Sequence, residues 1–122
     1  MTDPKATLPE GKKTVLGLYV TAKESYEKWK AEPDKVKIID VRTPAEYAGG
    51  HLAEAVNIDF NAPDFKDKIN LLDKSKTYFV YCRTANRSSS AVKVIAELGF
   101  KDIYNMTGGI TEWQAEGLTV VK

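Results

Sequence analysis

The run Cys82-Arg83-Thr84-Ala85-Asn86-Arg87-Ser88 places the chain's one thiol beside two permanent positive charges. Its small and polar side chains suit a tight loop whose backbone N–H groups converge on a point. A helix starting there adds its unsatisfied N–H groups and the positive end of its dipole. Together these form an anion cradle. A thiol in such a cradle has neighbours that favour the thiolate, so Cys82 is a candidate nucleophile facing an anionic substrate. The plainer reading is a small core hydrophobe at the end of a buried strand. Two arginines within five residues, on a strand–loop–helix turn, weigh against it, because core filling needs neither.

The remaining counts narrow the chemistry. One cysteine cannot close an intramolecular disulfide, and one Cys with one His falls short of a structural zinc set. No metal or organic cofactor is expected. The 18 basic and 17 acidic residues leave a net charge of +1, which argues against a nucleic-acid surface. No apolar run approaches the ~20 residues that span a bilayer, so no membrane partner is expected. His51 is the only partner for a Cys–His protease pair, and no further triad pattern accompanies it. Asp40 and Arg42 follow a strand, where they pair with each other or border the site. Trp29 and Trp113 read as core rather than as ligand platforms.

The elements that must position Cys82 follow from pattern and caps. At 122 residues with 43% hydrophobic and 29% charged side chains, the chain has the size and mix of one globular domain. Residues 1–15, with Pro4, Pro9, Gly11 and three lysines up to Lys13, read as a flexible lead-in without the apolar core of a signal peptide; the domain runs from 16 to 122. As the chain stands that points to the cytoplasm, or to the periplasm if a leader has been removed. A weak first strand covers 16–20. Thr21-x-x-Glu24 is a capping box, with Ala22, Tyr26 and Trp29 on one face of the helix it opens. Residues 36–41 form a strand rich in β-branched side chains. Thr43-Pro44-Ala45-Glu46 is a second capping box with proline at N1, ended by Gly49-Gly50. A short strand at 55–58 and a helix over 64–72 follow. The strongest strand, 77–81, runs into Cys82. A helix over 88–98, with Val92, Ile95 and Ala96 inward, stops at Gly99. A strand at 102–106 and a short helix at 110–115 close the chain. Alternating strands and helices predict an α/β fold with a mostly parallel sheet flanked by helices, whose sites form at the carboxyl ends of strands.

The loop from Cys82 resembles the six-residue active-site loop of the rhodanese family of sulfurtransferases. Asp40-Val41-Arg42, Glu46-Tyr47, Gly50-His51-Leu52 and Ala55-Val56-Asn57-Ile58 are similar to that family's first signature. Gly108-Gly109-Ile110 with Trp113 is similar to its C-terminal one. The resemblance covers about residues 16–121 and implies a single rhodanese domain with a persulfide mechanism. Cys82 would be the catalytic residue. Arg83, Thr84, Ala85, Asn86, Arg87 and Ser88 would bind the substrate, with Arg83 on a small anionic donor such as thiosulfate or a polysulfide. The acceptor would be cyanide, a thiol or a protein, a thioredoxin-like one among them. His51 would be mainly structural. Ala85 and Glu54 depart from the family, standing where glycine is common. A left-handed backbone at Ala85 would cost about 1 kcal/mol or more.

Four rivals remain in view. A sulfur carrier serving a protein partner shares the same loop. A rhodanese-like binding module would often lack the cysteine. Cysteine phosphatases need Cys-x5-Arg, whereas Arg87 stands at Cys-x4-Arg, and an arsenate-type reductase would need further cysteines.

Overall fold

Five strands lie side by side and parallel. In this computed structural model, which describes residues 13–14 and 17–122 (the backbone alone at 13, 14, 17 and 18), they are β2 (Gly17–Val20), β3 (Val36–Asp40), β5 (Val56–Asn57), β6 (Thr77–Tyr81) and β7 (Asp102–Met106). The strand order is β2-β7-β6-β3-β5, and a two-residue β1 (Lys13–Thr14) pairs antiparallel with β2 at one edge. Most of the lead-in expected over 1–15 thus lies outside the described residues, as does residue 16. The α/β architecture read from the alternation is the one found.

The central strand β6 has its last four residues buried, as expected of a parallel strand covered on both faces. The period of two sorts its side chains. Tyr78, Val80 and Cys82 enter one core with Phe65 and Ile69 of α3 (Phe65–Ile69) and Ala91, Val92 and Ile95 of α4 (Asn86–Glu97). Phe79 and Tyr81 enter the other, with Ala22 of α1 (Ala22–Ala31) and Ile110 and Trp113 of α5 (Gly109–Ala115). Cys82 is therefore the last residue on the α3/α4 face of the strand, at its carboxyl end. Trp113 is core, as read, and Trp29 is half-buried against the same cluster.

Both capping boxes form, at Thr21/Glu24 for α1 and Thr43/Glu46 for α2 (Pro44–Ala48). Four details differ from the sequence reading. The helix expected over 64–72 is only α3, because Asp64 makes no side-chain cap and only Phe65 and Ile69 are buried; beyond it Leu71 is 85% exposed and Leu72 packs against the core only in part. The helix expected at 88 begins at Asn86. Ala96 is exposed rather than inward, and Ser88, Ala91, Val92 and Ile95 form the buried stripe. A small second sheet, β4 (His51–Leu52) antiparallel to β8 (Val120–Val121), was not expected.

Glu54 adopts φ 68°, a left-handed backbone in a non-glycine residue. A Cβ in that region costs about 1–2 kcal/mol, partly offset by the about 0.5–1 kcal/mol that glycine's entropy would cost on folding. Glu54→Gly should therefore raise stability by about 0.5–1 kcal/mol in denaturant titration. A loss would mean that the Glu54 side chain contributes more than its backbone strain costs.

Candidate active site

Cys82 is 1% exposed. Its Sγ accepts the backbone N–H of Ser88 at 3.4 Å and donates to Ser88 Oγ at 3.6 Å, while that hydroxyl donates to the Ala85 carbonyl at 3.3 Å. Among the described residues, Ser88 supplies the one loop amide bonded to the sulfur, where the sequence reading expected the run from Arg83 to Ser88. Starting α4 at Asn86 explains this, since Ser88 then sits in the helix's first turn with an N–H free of intrahelical partners. Ala85 adopts φ −131°, so alanine carries no left-handed strain there.

Cys82, Arg83, Thr84, Asn86 and Arg87 line a cavity over the loop. Arg83, Thr84 and Asn86 are exposed, Arg87 is half-buried, and Ser88 is fully buried behind the sulfur. Arg83 also forms the wall of a neighbouring groove with Arg42, Glu46, Gly50, Thr111 and Gln114 among its lining. The predicted loop residues thus gather at one place, Ala85 and Ser88 from behind.

The loop is held from two sides. From α5, Ile110 N–H donates to the Cys82 carbonyl at 3.0 Å and Thr111 N–H to the Arg83 carbonyl at 3.3 Å. Gly109 makes this approach possible: with φ +60°, any Cβ there would lie 2.4 Å from the Arg83 carbonyl oxygen and 2.5 Å from that of Cys82. From α2, Glu46 forms a fork-to-fork pair with Arg87, Nη1 to Oε1 at 2.7 Å and Nη2 to Oε2 at 3.0 Å. The hydrogen bonds from Arg87 hold the Glu46 carboxyl down at about 2, and Glu46 in turn raises the Arg87 pKa.

Beneath α2 lies a buried polar knot. Asp40 is fully buried and Arg42 nearly so. Asp40 Oδ1 accepts Arg42 N–H at 2.9 Å and Nε at 3.0 Å; Oδ2 accepts Arg42 Nη2 at 2.7 Å and the Tyr81 hydroxyl at 2.6 Å. Arg42 Nη2 also donates to the Gly50 carbonyl at 2.7 Å, and the Tyr81 oxygen accepts Leu52 N–H at 3.1 Å. Burial pushes the Tyr81 phenol up and the Asp40 carboxylate adds to this, so it remains a donor. Burial works against the Arg42 charge, but Asp40 outweighs it and the pKa is raised. Asp40 and Arg42 pair with each other, as one reading held, and Arg42 also borders the groove beside Arg83. His51 stacks on Tyr47 with centroids 3.6 Å apart, its Nδ1 2.9 Å from the Tyr47 carbonyl oxygen.

Sequence reasoning missed the second role of Glu46 and the part of Tyr81. Glu46 was visible as the last residue of a capping box and as part of the Glu46-Tyr47 signature, neither of which points to Arg87. Tyr81 looked like one more strand aromatic. Among the described residues no group of three or more His, Cys, Asp and Glu could hold a metal ion, and no described helix is long and apolar enough to cross a membrane.

The loop and fold coincide with a known family. The chain belongs to the Rhodanese-like domain family, matched over residues 21–116. It is 30% identical over 98 residues to a sulfurtransferase of Allochromatium vinosum, covering 80% of this chain and 90% of that one. It is also 32% identical over 79 residues to the adenylyltransferase and sulfurtransferase uba4 of Ogataea parapolymorpha, of which it spans 20%. The crystal structure of a rhodanese-related protein from Thermoplasma volcanium superimposes with a TM-score of 0.75 at 34% identity, covering 85% of this chain and 97% of that one. A rhodanese-like domain protein from Staphylococcus aureus gives 0.71 at 30%, with 86% and 99% covered. Family and relatives together support sulfur transfer as this chain's activity.

Proposed function

We propose that this chain is a rhodanese-type sulfurtransferase that moves sulfane sulfur from thiosulfate or a polysulfide to a thiophilic acceptor through a persulfide on Cys82. The observation that carries the reading is the Cys82 sulfur, hydrogen-bonded to the first turn of α4 and lining a cavity with Arg83, Thr84, Asn86 and Arg87. The Cys82 thiolate attacks the outer sulfur of the donor. The donor's S–S bond breaks, and sulfite or the shortened donor leaves with the bonding pair. The new outer sulfur sits in the cavity, where Arg83 meets the anionic donor and leaving group. An acceptor, cyanide or a thiolate, then attacks that sulfur and releases Cys82 as thiolate. Two displacements on one nucleophile predict ping-pong kinetics.

A second reading, a persulfide carrier for a protein acceptor, is favoured by the single cysteine. A sulfur loaded on Cys82 has no second thiol in the chain to resolve it and must leave to another molecule. The relation to a domain within a longer adenylyltransferase and sulfurtransferase supports a protein acceptor.

Intact-mass measurement after incubation with thiosulfate or polysulfide tests both readings. One added sulfur atom is expected on the wild-type chain and none on Cys82→Ser. Wild type that gains no sulfur from any donor would overturn the persulfide mechanism. Loading with slow release to small thiols and fast release to a protein thiol would select the carrier.

A further inference from the structure

Two cavities meet at Arg83, one over Cys82 with Arg87 in its wall, the other between α2 and α5 with Arg42 and Glu46 in its wall. Three of the four charged side chains along them are spent on each other or on Asp40. Arg42 pairs with Asp40 and Arg87 with Glu46, both at 2.7 Å. Arg83 is exposed, and among the described residues its guanidinium has no hydrogen bond or ion pair. The Glu46 carboxylate is fixed in its place: besides Arg87 it accepts Thr43 N–H at 3.0 Å and the Thr43 hydroxyl at 3.2 Å on the same oxygen. It is also partly shielded, at 29% exposure against 26% for Arg87, so salt screens the pair less than a fully exposed one.

We propose that Glu46 is the specificity-determining residue of the donor site. By neutralising Arg87 it leaves Arg83, among the described residues, as the uncompensated cation beside Cys82, and this matches the site to sulfane donors of single negative charge, alkyl persulfides, over the thiosulfate dianion. The proposal rests on the Cys82 sulfur transfer argued above and names its donor class. Both donors react by the same displacement. Thiosulfate gives the Cys82 persulfide anion and sulfite; an alkyl persulfide, entering as its monoanion R–S–S⁻, gives the same Cys82 persulfide anion and the thiolate R–S⁻. They differ in the charge that must enter the cavity. Two free guanidiniums would suit a dianion with three sulfonate oxygens. One bidentate carboxylate on Arg87 removes half of that positive charge and occupies both of its terminal nitrogens.

The test follows sulfur loading of the full chain by intact mass against donor concentration, with thiosulfate and with 2-hydroxyethyl persulfide, each at low and high salt. Glu46→Gln is expected to lower the thiosulfate concentration for half-maximal loading rate by about three- to ten-fold and the persulfide value by only about two- to three-fold, because one added unit of charge at a partly hydrated site acts on a monoanion with half the energy it exerts on a dianion. The thiosulfate gain should shrink at high salt. Glu46→Ala should act in the same direction, which covers the case of a glutamine that keeps a hydrogen bond to Arg87. Arg83→Ala should raise the thiosulfate value in both backgrounds. An unchanged thiosulfate value in both Glu46 variants, or an equal loss with both donors, would overturn the proposal, the latter making Glu46 only a brace for the loop. These outcomes leave the persulfide mechanism standing; wild type that loads from no donor removes both.

Discussion

Gly109→Ala is expected to lower the melting temperature by about 10–20 °C and to reduce sulfur loading of Cys82 well beyond that thermal loss. Two costs add. An alanine at φ +60° carries about 1–2 kcal/mol of left-handed strain. Its Cβ would also stand 2.4–2.6 Å from three backbone atoms, the Arg83 oxygen and carbon and the Cys82 oxygen. None of these is the free end of a side chain, so the loop or α5 must move, at about 1–3 kcal/mol for overpacking. The sum of about 2–5 kcal/mol gives that shift at this chain length. The functional loss has a separate origin. The same carbonyls receive the N–H groups of Ile110 and Thr111, and pushing α5 away releases the backbone of Cys82 itself. Thermal unfolding and mass-monitored loading, measured side by side, check it. A variant that melts like wild type would show that the loop yields without cost.

What could be read in advance was what neighbouring residues decide. The strand 77–81 and both capping boxes follow from side chains a few positions apart, and they stand where the sequence placed them. The nucleophile was legible because its chemistry is concentrated in seven consecutive residues. The arrangement around it was not, because it is made by partners far apart in the chain. Glu46 and Arg87 are 41 positions apart, as are Asp40 and Tyr81, and strands of two residues such as β4 and β8 carry no period. Glu46 illustrates the limit well. Its place at N3 of α2 explains why it is glutamate, and nothing local says that its carboxylate also reaches α4. Arg87, read either as a substrate-binding loop residue or as a structural hydrogen-bonder at the helix start, is held by that oxygen pair and lines the cavity over Cys82. Ala85 stands in a slot where the family often has glycine, and the φ of −131° shows that this loop makes no demand for it.

Asp40→Asn should cost about 3–5 kcal/mol, because it leaves the Arg42 guanidinium buried without its counter-charge. Asp40 is 0% exposed and Arg42 5%, so water cannot take over. An amide also turns an NH2 group toward Arg42 or Tyr81, both of which donate to the carboxylate now. At this chain length the loss corresponds to a drop in melting temperature of about 10–20 °C. Replacing the whole knot separates its stability from its use. With Asp40→Leu, Arg42→Met and Tyr81→Phe together, no unpaired charge remains, and most of the lost stability should return, as buried ion pairs exchanged for apolar side chains often allow. Loading of Cys82 should not return with it. The knot ties Gly50 and Leu52, at the end of the α2 segment, to the strand that leads into Cys82, and α2 carries the carboxylate that holds Arg87. An apolar replacement fills the space without directing α2, so the triple variant should be folded and slow. Full recovery of loading along with stability would reduce the knot to packing, and Asp40→Asn within about 1 kcal/mol of wild type would mean that the buried arginine finds another partner.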